Sequence, residues 1–244
     1  MTRISLKTIH TSRTIMFAEL SRVMDHGIQK DSFLDALSDN VINKRTKSNL
    51  SKTSHLLTKL YGFNNQDPAF RCFKYLWGLA EANDKPILAL LYSIGNDYLL
   101  SESIPTVIET HIGDKVAIHK IEENIEALHP KLFTENTRRS AAQNIASSWK
   151  QAGYITGKVK NIRTQANPSY LVVTLALLLP YLNGDKGDFI LSSKWVKALG
   201  ISEAEIRDRA FEAAKRDLLQ YQYAGSVTTI YFQNLFNKLD IHGL

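Results

Sequence analysis

The stretch Tyr170–Leu182, YLVVTLALLLPYL, sets the strongest limit on what this chain can fold into. Apart from Thr174 and two tyrosines it has no polar side chain, so a helix built from it must be covered on every face. Its 13 residues, interrupted by Pro180, are too short to span a bilayer. The expectation is a buried core helix with other elements packed around it, and no membrane partner. A chain of 244 residues, 44% hydrophobic and 22% charged, is long enough to supply that cover as one large domain or two small ones. Nothing in the composition is collagenous, disordered or low in complexity.

The first half reads as helices only. Residues 12–27 carry Ile15, Ala18, Leu20, Val23 and Met24 at helical spacing, with Gly27 as terminator. Asp31 or Ser32 caps the next segment. The basic stretch 43–63 forms one helix, or two broken near Thr46–Ser51. Asp67-Pro68 and Asp84-Lys85-Pro86 are helix starts, with aspartate as cap and proline in the first turn. Residues 103–112 add one short helix. No β alternation precedes about residue 113, so 1–113 reads as a helical bundle. Gly113-Asp114 is the expected boundary, and 114–244 reads as a winged-helix-like domain with short strands. The expected fold class is therefore mainly α, a bundle followed by winged-helix-type α+β units.

That second part holds two units of similar order. In the first, an extended KVAI (115–118) and a helix near 121–130 precede Thr134–Thr164, TENTRRSAAQNIASSWKQAGYITGKVKNIRT. At 100° per residue, Ala141, Ala142, Ile145, Ala146, Trp149 and Ala152 share one arc, which faces a core. The opposite arc, with Arg139, Gln143, Asn144, Ser147, Ser148, Lys150 and Gln151, has no acid. Gly153 stops the helix, and a basic extended segment follows. In the second unit, Phe189–Leu191 reads as a short strand, Ser192-Ser193 caps a helix 194–199, and Gly200–Ser202 turns into a long helix 203–221. Val227–Phe232 is a strand. Acids on that long helix (Glu203, Glu205, Asp208, Glu212) suit a scaffold that packs rather than one that meets phosphate. The glycine-rich NGDKGD at 183–188 lacks the GK[ST] of a phosphate loop and reads as a surface turn.

Charge points toward a polyanion. The net charge is +6. Residues 134–164 hold six Lys/Arg against Glu135, a local +5, and 41–60 hold five with no acid, again +5. Two concentrated patches suit a binding face better than a diffuse excess. The candidate DNA contacts are Arg138 and Arg139 on phosphate at a helix N-terminus, and Gln143, Asn144 and Ser147 in a groove. Lys150, Lys158, Lys160 and Arg163 would grip the flanking backbone, and Lys44, Arg45, Lys47 and Lys52 form a second phosphate-contacting patch. The expected partner is double-stranded DNA. RNA is the alternative, opposed by aromatics that sit at core-like spacings rather than as stacking platforms. A structural adaptor binding another protein is a third reading.

Chemistry is hard to find. Cys72 is the only cysteine, which excludes an intrachain disulfide and a cysteine-rich zinc site and fits a reducing, cytoplasmic setting. The N-terminal MTRISLKTIHTSRTIM lacks the apolar core and cleavage site of an export signal. The seven histidines are scattered without metal-ligand spacing, and no GxSxG, HExxH, GxGxxG or kinase signature occurs. The expectation is a protein with no catalytic residues, no metal and no cofactor.

The run ALSDNVINKRTKSNLSKTSHLLTKLYGF resembles a segment of the BrxA-like proteins of bacteriophage exclusion (BREX) defence systems. LALLYSIGNDYLL and the closing YAGSVTTIYF fit the same plan. The resemblance implies a small cytoplasmic protein with winged-helix elements and an N-terminal half likened to the NusB class of RNA-binding bundles. It further implies double-stranded DNA binding in anti-phage defence, alongside other defence-system proteins and without catalysis.

Overall fold

The computed structural model describes residues 7–225 and 227–243, so Met1–Leu6 of the stretch read for an export signal lie outside the described residues. Among the described residues the chain is mainly helical, with two short antiparallel two-stranded sheets. In order the elements are α1 (Phe17–Lys30), α2 (Phe33–Ser38), α3 (Lys47–Tyr61), α4 (Pro68–Leu79), α5 (Lys85–Asn96), α6 (Tyr98–Glu102), α7 (Ile104–Ile108), α8 (Ile118–Leu128) and α9 (Glu135–Gln151). Then come β1 (Ile155–Thr156), β2 (Ile162–Arg163), α10 (Tyr170–Leu182), α11 (Asp188–Leu191), α12 (Lys194–Lys197), α13 (Glu203–Ala214), β3 (Gln220–Ala224), β4 (Val227–Tyr231) and α14 (Gln233–Lys238).

Two compact units form, each from two stretches of chain: Met1–Phe63 with Tyr92–Gln165, and Asn64–Leu91 with Ala166–Leu244. The chain therefore does not divide at Gly113-Asp114, the expected boundary. Backbone pairing gives the reason. Gly113 N–H donates to Arg163 O (2.9 Å), Arg163 N–H to Asp114 O (2.8 Å) and Val116 N–H to Asn161 O (2.7 Å), so residues 113–116 run beside β2. A cut there would strip an edge from the hairpin and leave its backbone groups unpaired.

In the first unit the chain follows the order α7, a short stretch 113–116 bridged to β2 at Lys115, α8, α9, β1–β2. With that stretch in the place of the first strand, this is the order of a winged helix. Within this unit α6 packs against α7, α8 and α9, and α1 against α2. Gly27 does not end α1 but lies buried inside it, because a Cβ there would stand 2.2 Å from the Phe33 ring. Only glycine lets α2 come that close. The helix instead ends at Lys30, with Asp31 left-handed at φ 50°. The basic stretch is one helix whose start is set by Thr46, which accepts a hydrogen bond from Asn49 N–H, and whose end is set by Gly62. The one short helix expected at 103–112 is α7, which ends at Ile108 rather than Ile112. Ser103 separates α6 from α7, and its hydroxyl donates to Leu100 O (2.7 Å) while accepting from Trp149 Nε1 (2.9 Å).

In the second unit α10 is buried from Leu171 to Pro180, with α4, α12 and α13 packed against it. Among the described residues no helix is long and apolar enough to cross a membrane. Two expectations fail here. Phe189–Leu191 belongs to the helical turn α11 rather than a strand, because Ile190 N–H and Ser192 N–H bond back to Gly187 O and Asp188 O. The long helix 203–221 stops at Ala214. Asp217 turns left-handed (φ 56°), and Gln220–Ala224 becomes β3, paired antiparallel with β4 from Gln220↔Tyr231 to Ala224↔Val227. The helix α13 starts with a capping box, Ser202 and Glu205 each bonding the other's backbone N–H.

Candidate nucleic-acid interface

The helix α9 begins where Thr134 accepts a hydrogen bond from Thr137 N–H, and its apolar arc is buried as its periodicity requires. Gly153, at φ 82°, ends it and turns the chain into the hairpin. Trp149 and Tyr154 meet edge to face at 5.2 Å, fixing the corner between helix and wing. The wing tip is tight: a Cβ on Gly157 would stand 2.2 Å from Lys160 O. That turn leaves Lys158, Val159 and Lys160 exposed, Val159 to 89%.

The polar arc of α9 divides into two rows. Asn136, Arg139, Ser140 and Gln143 are exposed, with Ser147 and Lys150 half-buried beyond them. Spacings of 3–4 residues put Asn136, Ser140, Gln143, Ser147 and Lys150 on one helix face, with Arg139 at its edge beside Glu135. Asn136 and Ser140 belong to it, although sequence reasoning passed over both. Helical spacing from Gln143 would have found them.

The second row, Asn144, Ser148 and Gln151, turns inward and holds the N-terminal segment. Asn144 Nδ2 donates to His10 O (2.8 Å), Ser148 Oγ accepts from Ile15 N–H (3.0 Å), and Gln151 Oε1 accepts from Phe17 N–H (3.0 Å). Asn144 is therefore an internal clamp, not the groove contact expected of it.

Three expected phosphate contacts are also occupied. Arg163 is 2% exposed. Its guanidinium donates to Val107 O (3.1 Å), Tyr154 O (3.3 Å) and Thr164 O, and lies 5.3 Å from the Tyr154 ring. Burial lowers its pKa, yet an arginine stays charged. It is an internal tie for the hairpin. Arg138 pairs with Glu126 (2.7 Å) and donates to Phe133 O, and Lys44 pairs with Glu19 (2.7 Å). Arg45, Lys47 and Lys52 stay exposed around the start of α3. Arg139 makes only an exposed i,i+4 pair with Glu135, a contact worth about 0.3–0.5 kcal/mol that a phosphate can displace.

The units differ in charge. Residues of the first unit count 19 Lys/Arg against 13 Asp/Glu, and those of the second 11 against 11. The whole +6 thus belongs to the unit that carries α3, α9 and the wing. In the second unit the cations of α13 are turned inward. Arg207 donates to Glu203 (2.8 Å), Tyr221 OH (2.8 Å) and Thr228 Oγ1 (3.1 Å) and lies 3.8 Å from the Tyr223 ring. Arg209 reaches Pro168 O and Asn167. Glu203, Glu205, Asp208 and Phe211 remain exposed.

One set of side chains has the order of a nucleophilic triad. His10 Nε2 is 2.9 Å from Ser148 Oγ, and His10 Nδ1 is 2.8 Å from Asp97 Oδ2. All three residues are buried to 1% exposure or less, so no substrate reaches the hydroxyl. Asp97 also accepts from Ile9 N–H (2.6 Å), Leu100 N–H (3.1 Å) and Thr8 Oγ1 (2.9 Å). Burial by itself would raise its pKa. The neighbouring His10 and the Ile9 and Leu100 backbone bonds outweigh that and hold it below the usual carboxylate value. A depressed carboxylate contributes stability that is present above the unfolded value of about 3.9 and is lost as pH falls through the folded one. Wild-type protein is therefore expected to lose urea resistance on acidification below about pH 4. Asp97→Asn should be weaker at pH 7 and show a flatter acid limb, at about 1.4 kcal/mol per unit of depression. Parallel acid limbs for the two proteins would contradict this.

Elsewhere, burial pushes the Cys72 thiol up to about 12, so it is no thiolate at neutral pH. An open groove of about 650 Å³ in the first unit mixes Glu109, Asp114 and Glu123 with His111, Lys115 and Lys120. No group of three or more His, Cys, Asp or Glu among the described residues could hold a metal ion. Comparison with protein-family models, with curated proteins and with solved structures finds no match.

Proposed function

We propose that this protein binds double-stranded DNA through its first unit, without catalysing a reaction. The polar outer row of α9 from Asn136 to Lys150, continued by Lys158 and Lys160 on the wing, carries this reading. Gln143 and Ser147, with Asn136 and Ser140 beside them, have the donors and acceptors to read base edges from a major groove about 12 Å wide. Arg139, Lys150, Lys158 and Lys160 fit flanking phosphates, and Arg45, Lys47 and Lys52 fit a second stretch of backbone. The resemblance to BrxA-like proteins supports a cytoplasmic role in anti-phage defence, beside other proteins of such a system. Fluorescence anisotropy with labelled duplex DNA, single-stranded DNA and RNA at one salt concentration tests it. Duplex is expected to bind tightest, and RNA binding as tightly or more would overturn the reading in favour of an RNA-binding bundle.

The outward face of α13 favours a second role. With its arginines turned inward and its acids and Phe211 exposed, it repels phosphate and suits contact with another protein. A stable protein complex that persists after nuclease treatment, and is lost on Phe211→Glu, would establish that role.

A further inference from the structure

We propose that Val159, at the tip of the β1–β2 hairpin, is a specificity-determining residue that touches the minor-groove floor and selects against G·C pairs there. This rests on the duplex binding proposed above. Val159 is 89% exposed, more than any other large hydrophobic side chain among the described residues. It stands between Lys158 and Lys160, which are exposed as well. Two lysines meet phosphates without help, so charge does not account for the apolar residue between them. Valine has no hydrogen-bonding group, and what it gains from a partner is burial. The surface that buries it is one that both lysines also fit.

The tip is built not to yield. Gly157, at φ 93°, lets the chain close tightly onto Lys160. Beside the turn, Val116 N–H donates to Asn161 O (2.7 Å). Two residues further on, Arg163 ties β2 to the carbonyls of Val107, Tyr154 and Thr164. Tyr154 meets Trp149 of α9 edge to face, so the tip keeps a set place relative to the helix. Strands of two residues reach roughly 7 Å, which holds the tip close beside α9. With α9 in a major groove, the tip meets the neighbouring minor groove, about 6 Å wide, and the lysines fall to its bordering phosphates.

An apolar tip sorts base pairs by what that floor carries. A·T pairs present only the acceptors adenine N3 and thymine O2, whereas G·C pairs add the guanine 2-amino donor. Valine cannot accept that hydrogen bond and displaces the water that would, and a covered donor left unpaired is costly.

Two labelled duplexes of one sequence test this, one with G·C pairs and one with inosine in place of every guanine. Inosine keeps the major-groove edge of guanine and lacks the 2-amino group, so the edge offered to α9 is unchanged. Wild-type protein is expected to bind the inosine duplex about fivefold more tightly in anisotropy titrations. Val159→Ser, a change on an exposed tip with folding checked by circular dichroism, should bind the two duplexes within about twofold of each other. Equal affinity of wild-type protein for both duplexes would overturn the proposal and leave duplex binding standing. A Val159→Ser protein that keeps the full preference would also overturn it, since easier bending of the inosine duplex would then explain the difference. Wild-type protein that ignores both duplexes would refute the proposed function and this inference with it.

Discussion

Reversing the two outward cations of α9, as Arg139→Glu/Lys150→Glu, is expected to weaken duplex binding about a hundredfold and to flatten its salt dependence. Seven surface cations remain as candidates after Arg138, Arg163 and Lys44 are set aside: Arg139, Lys150, Lys158, Lys160, Arg45, Lys47 and Lys52. Six to ten phosphate contacts would cost about 10³–10⁵-fold in affinity between 50 and 200 mM salt. Each lost contact lowers the slope of log affinity against log salt by about one, so the double reversal should lower it by about two or more. Anisotropy titrations across that range measure both quantities. A flat salt response in wild-type protein, or a double reversal that binds normally, would end the case for α9. Arg139 and Lys150 are the right pair because neither anchors the fold. Replacing Arg138 would strand Glu126, already half-covered, and confuse lost binding with lost stability.

Arg163→Met is expected to be the most damaging single change to stability in the first unit, by roughly 3–5 kcal/mol. Three carbonyls would lose a charged donor, and such bonds are worth about 1.5–3 kcal/mol each. Part of that is offset because a guanidinium no longer has to be buried. Urea denaturation of the variant measures the loss. A shift under about 1 kcal/mol would show that Arg163 is not the tie its geometry implies. At temperatures where the variant stays folded, its duplex affinity separates this role from the phosphate contact expected of it.

Arg163 marks how far sequence alone reaches. Elements set by neighbours within a few residues were legible: the Asp67 cap, the Gly153 stop and the Ala141–Trp149 arc all stand as their local chemistry dictates. Arg163 was not. Its position in a basic segment suggests solvent, and only the carbonyls of Val107, Tyr154 and Thr164 converging on it make burial tolerable. Asn144, Ser148 and Gln151 failed for the same reason, because their partners lie about 134 positions away at residues 10–17. Phe189–Leu191 read as a strand from residue type, but β4 already has its partner in β3 and the segment closes into a turn. Gly27 shows the converse. A glycine near a helix end suggests a stop, whereas here the Phe33 ring fills the space where a side chain would go.

The discontinuous division into two units bears on how the chain must be made. Asn64–Leu91 interrupts the first unit and awaits partners that begin at Ala166. Neither unit is a prefix of the chain, so a growing polypeptide leaves the ribosome with its first helices unable to close on their own until Gln165 has emerged. At about 5–20 residues per second, the last hundred of those residues take roughly 5–20 seconds to synthesise. Through that interval the apolar faces of α1 to α3 stay without their full cover, a window in which chaperones would have work to do.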